Sequence, residues 1–326
     1  MNTVCDRFRA IHSKKKNRCF CDATIPVNSI TEGEINMKTV LKQIGKAAAY
    51  FATYLATSNL ISLIVGFVHS YMKGREYALM GLSREEGYAL YQAEAASITG
   101  ICLGLGAIAT LLVYFIVEKV KRSSLAKETD MKKVSAGQLG LTIMGAAGAM
   151  VFMNNILSIL PIPEELMGGL QSGMSNLTAY PFWQAILVNA ILVPILEEVV
   201  FRGYIYNRLS KAMPSVVAAL ISSVVFGICH GSILWAVWAF LIGMIICAVR
   251  VKSGSIIPVI IFHIILNAYA MIVSYFHIFK GASDTLMYVL TAIGAAMLAA
   301  YLFFILRNKN ASSKKIKPEV VISATE

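Results

Sequence analysis

Apolar runs long enough to cross a bilayer recur about eight times along this chain. They lie approximately at 47–71, 92–117, 137–160, 182–207, 214–231, 233–250, 255–279 and 285–306. A hydrocarbon core of about 30 Å needs about 20 apolar residues per helix. Within the runs the apolar residues favour no single face, as expected of helices that are apolar all round. Several contain interior Gly and Ala, which let membrane helices approach closely. Composition agrees: of 326 residues 57% are hydrophobic and 14% charged, against about 25% charged in a soluble domain. The fold class predicted is all-α, a polytopic membrane protein of about eight transmembrane helices.

The net charge of +11 does not point to nucleic acid, because the basic residues cluster at the ends of apolar runs. Basic links alternate with basic-poor ones. Lys119, Lys121, Arg122, Lys127, Lys132 and Lys133 follow the second run; Arg208 and Lys211 follow the fourth; Arg250 and Lys252 follow the sixth. The N-terminal tail is basic, as is the C-terminal one with Arg307, Lys309, Lys314, Lys315 and Lys317. By the positive-inside rule both termini are expected in the cytoplasm. Residues 1–40 lack the apolar h-region of a signal peptide and are expected to be a basic cytoplasmic tail, with 1–36 a dispensable extension or a mis-assigned start. The six cysteines form no framework. Cys102, Cys229 and Cys247 lie in apolar runs, where a thiol packs as a small hydrophobe, and Cys19-x-Cys21 is too closely spaced for a common zinc knuckle.

One segment breaks the apolar rule. Glu197-Glu198-Val199-Val200-Phe201-Arg202 sits inside the fourth run, where each ionisable side chain costs about 2.5–3.5 kcal/mol on insertion scales. Glu198 and Arg202 are four apart and can pair on one helix face. Glu197 lies about 100° away, so only one glutamate need be neutralised by the arginine. Pro194 is expected to bend the helix here. Two other acidic pairs are ordinary. Glu85-Glu86 follows Ser83 as a capping box opening the second run, and Glu164-Glu165 sits beside Pro161 and Pro163 in a loop.

The histidines narrow the site. His12 is in the tail, and His69 and His277 lie near run ends and read as interfacial. His230 closes Phe226-x-x-x-His230 and His263 opens His263-x-x-x-Asn267, each pair sharing a helix face. Two glutamates, two histidines and an asparagine on successive apolar runs are expected to converge in one buried polar cavity. Counting 1.5 Å per residue puts Glu197 about 16 Å and His263 about 12–15 Å from the basic links, but His230 about 24 Å from Pro214. The site is therefore expected to open to the cytoplasm, with His230 out of level. Such a set can activate water in two ways. A carboxylate in a low-dielectric cavity can act as general base. Alternatively Glu197, His230 and His263 can hold Zn2+ with an open position for water. Asn267 can donate to an oxyanion. No Gly-x-Ser-x-Gly, Walker or dinucleotide motif is present, nor His-Glu-x-x-His.

Glu197-Glu198-Val199-Val200-Phe201-Arg202-Gly203-Tyr204 resembles the Glu-Glu-x-x-x-Arg motif of the CPBP family of intramembrane proteases. That family includes the type II CAAX prenyl endopeptidases and the Abi and bacteriocin-processing relatives. Phe226 to His230 and His263 to Asn267 resemble its second and third motifs, in the same order. The resemblance covers about 180–275. It implies an intramembrane endopeptidase, a CAAX prenyl protease-like hydrolase in which Glu197 activates water and His230 helps to hold that water or a metal. Glu198 assists and pairs with Arg202, and His263 and Asn267 bind the metal or the oxyanion. Whether Zn2+ or a metal-free glutamate-activated water is used stays open. The implied partners are a membrane-associated peptide or protein substrate and the lipid bilayer, with no nucleic acid, in a bacterial cell membrane. The expected organisation is 41–179 for the first three transmembrane helices, 180–280 for the catalytic core, 281–306 for the last helix and 307–326 for the tail. A non-proteolytic scaffold or immunity protein with the same fold, or a small transporter, are the competing readings.

Overall fold

The structure is a computed structural model that describes residues 37–307, all of whose regular elements are helices. The basic tails, with His12, Cys5, Cys19 and Cys21, lie outside the described residues. The helices are α1 (Met37–Leu79), α2 (Arg84–Val120), α3 (Ala136–Ile159), α4 (Glu164–Thr178), α5 (Phe182–Leu209), α6 (Ser215–Ile228), α7 (Ile233–Ser253), α8 (Ile257–Phe276) and α9 (Asp284–Arg307). Seven of these are long and apolar enough to cross a membrane among the described residues. Together they make an integral membrane protein.

One of the eight expected spans is shorter than the other seven. α6 has 14 residues, about 21 Å of helix, short of the hydrocarbon thickness. The four residues that follow it, 229–232, form a turn in which Gly231 takes φ 82°, and α7 then runs back antiparallel to α6. α6 is unbroken from Ser215 to Ile228 and His230 follows its end, so the depth of about 24 Å from Pro214 stands. A second difference is α4. Residues 161–181 read as a loop, yet Leu166, Leu170, Met174 and Leu177 recur at helical spacing and α4 leans on α7 and α8. α1 also outruns its apolar stretch, with 43 residues or about 64 Å. Its ends are charged, and Lys73 near the far end pairs with Glu76 at 3.1 Å and Glu94 at 3.2 Å. α2 opens as expected. Ser83 accepts from the Glu86 N–H, and the Glu86 carboxylate accepts from the Ser83 N–H.

The basic links gather on one face of the bundle. Arg250 donates to Asp130 at 2.7 Å and to Asn207 at 2.8 Å. Asn207 Nδ2 donates to the Glu128 carbonyl at 3.0 Å, and the Lys132 N–H to Ser255 Oγ at 3.2 Å. Lys252 Nζ reaches the Leu306 carbonyl at 3.2 Å. The links after α2, α5 and α7 and the end of α9 are thus sewn together, as their shared charge signature predicts. α3 and α9 approach most closely through glycine. A Cβ on Gly294 would lie 2.5 Å from the Phe152 backbone nitrogen, and one on Gly148 2.7 Å from the Leu298 nitrogen.

α5 is the central helix. Its most apolar window is 61% buried inside the protein, against 33% or less for every other spanning helix. It is wound as α-helix at Phe182–Ala185, Val193–Glu198 and Tyr206–Leu209, with π-helical turns at Ile186–Leu192 and Val199–Ile205. At the ends of these turns the Val193 N–H reaches the Val188 carbonyl and the Tyr206 N–H the Phe201 carbonyl, each five residues back. Pro194 has no N–H to offer, and wider turns on both sides of the glutamates take the place of a simple bend. π turns are rare and concentrate at functional sites.

Candidate active site

The Glu-Glu-x-x-x-Arg segment stands at the middle of this wound helix. Glu198 and Arg202 are both 0% exposed and pair through Oε1 and Nη1 at 2.9 Å. Removing either partner of such a buried pair strands the other charge. Arg202 Nη2 donates to the Gly243 carbonyl of α7 at 3.2 Å, and the guanidinium lies 4.4 Å from the Phe226 ring centre. Glu198 Oε1 is also 2.6 Å from His263 Nδ1 of α8. Glu198 Oε2 and Arg202 Nε remain buried without a partner. Three helices are thus tied to one carboxylate–guanidinium pair.

Glu197 is placed differently. Its side chain is 13% exposed, and Oε2 lies 3.7 Å from His263 Nε2. His263 therefore stands between the two glutamates, with Nδ1 toward Glu198 and Nε2 toward Glu197. An Nδ1–H donated to Glu198 leaves Nε2 on the side of Glu197. His230 repeats the pattern: its Nδ1 is 2.8 Å from the Phe226 carbonyl, which leaves its Nε2 for other partners. Phe226 packs edge-on against both imidazoles, at 4.6 Å from His230 and 5.8 Å from His263 between ring centres.

His230, His263 and Asn267 line a single cavity of about 210 Å³, together with Trp235, Met174 and Asn154. The structure therefore brings together the second and third motifs on one wall, with the first motif behind His263. Asn267 Nδ2 donates to the Asn189 carbonyl at 2.9 Å, and one N–H of the amide is left. Asn189, in the first π turn, in turn donates to Tyr180 Oη at 2.6 Å and the Leu177 carbonyl at 3.0 Å. Asn189 and Trp235 escaped the sequence reading, although an asparagine in an apolar run was a usable signal. The cavity is walled by the C-terminal half of α3, by α4, by Asn189 of α5, by Phe226 and His230, by the N-terminal half of α7 and by the middle of α8.

Among the described residues no three His, Cys, Asp or Glu side chains stand close enough to hold a metal ion. The Glu197–His263 contact supplies two donors, and His230 does not complete a set with them. As arranged, these described residues do not form a three-donor set for a zinc ion. Of the other histidines, His69 faces Glu94 at 3.8 Å and His277 ends α8 with φ 47°, both apart from the site. Cys102 and Cys247 are buried as expected, whereas Cys229 is exposed.

Comparison with known proteins bears on the same residues. Residues 178–269 match the Rce1-like family of type II CAAX prenyl endopeptidases. This segment contains all three motifs, from Glu197 to Asn267, and leaves α1 to α3 and α9 outside. The UPF0177 protein YxdF of Lactococcus lactis is 27% identical over 164 residues, which is 49% of this chain and 88% of that protein. The protein named "Putative membrane peptidase YdiL" of Bacillus subtilis is 25% identical over 176 residues, 52% of this chain and 71% of its own length. No solved structure matches the chain significantly.

Proposed function

We propose that this protein is an intramembrane endopeptidase that hydrolyses a peptide bond of a membrane-associated peptide or protein by glutamate-activated water. The observation that carries the reading is the pair of unlike glutamates around His263. Glu198 is locked to Arg202 at 2.9 Å, whereas Glu197 is partly exposed, makes no arginine ion pair among the described residues, and lies 3.7 Å from His263 Nε2. One carboxylate holds the architecture and the other is left for proton transfer. The family match at 178–269 and the peptidase relative support the same class of activity.

In this mechanism Glu197 takes a proton from water as the oxygen attacks the scissile carbonyl carbon. His230, bordering the cavity with Nε2 uncommitted, accepts the water's other hydrogen bond and orients it. The remaining Asn267 N–H donates to the oxyanion, where one such donor is worth about 10²–10³ in rate. Collapse breaks the C–N bond, and the proton held by Glu197 passes to the leaving amine. One water is consumed, giving one carboxylic acid and one amine. The apolar lining around Trp235 and Met174 accepts an apolar segment of substrate.

The test is cleavage in proteoliposomes of a quenched reporter library of apolar peptides, with wild type beside Glu197→Gln and His230→Ala. General-base loss lowers turnover by about 10²–10⁴, with the fold retained by gel filtration. Turnover of the Glu197→Gln protein at the wild-type rate overturns the proposal. Loss of activity on adding a chelator, restored by zinc, replaces the glutamate–water route with a metal one.

A further inference from the structure

A second cavity, of about 520 Å³, opens on the basic face between α1, α2 and the end of α5. It shares no residue with the histidine cavity. Lys46, Lys121 and Arg208 line it, and the charges of Lys42 and Lys211 also bear on Lys46. Two carboxylates are present, and both are engaged. Glu118, 1% exposed, accepts from Tyr50 Oη at 2.7 Å, Tyr204 Oη at 3.3 Å and Lys121 Nζ at 3.4 Å. Glu128 pairs with Arg208. Five cations stand against two carboxylates, and among the described residues Lys42, Lys46 and Lys211 make no ion pair.

The cations are aimed rather than scattered. Lys121 Nζ is 4.7 Å and the Arg208 guanidinium 5.6 Å from the centre of the Tyr50 ring. Tyr50 is itself fixed by stacking on Tyr204 at 3.9 Å and by its hydrogen bond to Glu118. Lys121 is thus held by the buried Glu118 and Arg208 by the part-buried Glu128, and Lys46 is exposed. Beyond the cavity, along the same helices, Leu55, Leu60 and Leu63 of α1 and Leu112 and Ile116 of α2 are exposed. A cation-lined pocket between helices that also carry exposed apolar side chains fits a molecule with an anionic head and an apolar tail.

We propose that this cavity binds the phosphate-bearing headgroup of an anionic phospholipid, with Lys46, Lys121 and Arg208 as its phosphate contacts and the acyl chains along α1 and α2. Basic pockets between membrane helices bind anionic headgroups in this way. The site is independent of the proteolytic reading, because its test needs no activity.

The experiment is thermal unfolding of delipidated protein in neutral maltoside micelles, titrated separately with phosphatidylglycerol, phosphatidylcholine and inorganic phosphate. Phosphatidylglycerol is expected to raise Tm saturably, with about one lipid per chain retained in native mass spectrometry, and phosphatidylcholine to leave Tm unchanged. K46Q removes an exposed cation of the cavity lining and is expected to weaken the apparent affinity about fivefold; K46Q/K121Q weakens it further. K73Q, at the opposite end of α1, leaves it unchanged. A Tm rise by inorganic phosphate equal to that by the lipid assigns the same site to a free phosphate. Equal response to phosphatidylglycerol and phosphatidylcholine, or wild-type affinity in K46Q/K121Q, overturns the proposal.

Discussion

Replacing Arg202 by alanine puts a number on the buried pair. Arg202 and Glu198 are 0% exposed and 2.9 Å apart. Removing one partner of such a pair costs about 3–5 kcal/mol, because the other charge is stranded. Here His263 Nδ1, 2.6 Å from the same Glu198 oxygen, keeps a hydrogen bond to the survivor, which favours the lower end, about 3 kcal/mol. The guanidinium over the Phe226 ring at 4.4 Å adds about 1–2 kcal/mol. The expected loss for Arg202→Ala is therefore about 4–5 kcal/mol. Pairing the change with Glu198→Gln removes the stranded charge, so the double variant is expected to lose at least about 2 kcal/mol less than the sum of the singles. Independent sites add to within about 0.5 kcal/mol. Equilibrium unfolding in mixed micelles, followed by tryptophan fluorescence, measures all three. Arg202→Ala within about 1 kcal/mol of wild type, or an additive double variant, refutes the reasoning.

Three further outcomes are expected. Gly294→Ala forces a methyl to 2.5 Å from the Phe152 nitrogen; because backbone cannot yield cheaply, it should destabilise by about 1–3 kcal/mol, and an unchanged Tm contradicts that packing. Asn267→Ala should lower turnover about 10²-fold or more and also free the Asn189 carbonyl, whereas Asn154→Ala, on the opposite wall, should leave the rate constant of bond cleavage within a few-fold in single-turnover assays. At the basic face, burial alone would raise the Asp130 carboxyl, but the hydrogen bond from Lys132 and the charge of Arg250 outweigh it and hold Asp130 below the usual range. Burial is likewise outweighed at Glu128, by the Ser123 hydrogen bond and the charge of Arg208. A lowered folded-state pKa stabilises above the unfolded value, about 3.9 for Asp and 4.3 for Glu, and that stabilisation is lost as pH falls through the folded value. Tm should therefore fall on the acid side below about pH 5, and less steeply in Asp130→Asn; parallel acid limbs in the two proteins remove these carboxylates from the account.

The outcome of the sequence reading divides along physical lines. Long apolar runs and the alternation of basic links were legible because membrane insertion leaves few alternatives for either. The pairing of Glu198 with Arg202 follows from a spacing of four, and His263 with Asn267 on one wall follows from the same rule. What escaped depends on contacts between distant residues. The shortness of α6 turns on Gly231 and a loop that no hydropathy window separates from the helix. α4 was hidden because its apolar residues are spread among Gly and Ser. The walls of the cavity could not be counted from residue depth, since Trp235 and Met174 line it from elements not suspected of touching.

The π turns of α5 carry a consequence for how such a site can change. Each contains one residue more than an α-helical turn would use, so the helix is slipped by about 100° across it. Val199–Ile205 and Ile186–Leu192 bracket Glu197 and Glu198 on both sides. Loss of one residue from Ile186–Leu192 would relax that turn to ordinary winding and swing Asn189 and the flank before it relative to the glutamates, while Glu198 and Arg202 stayed four apart. The acidic motif is thus a cassette whose aim is set by the number of residues beside it rather than by their identity.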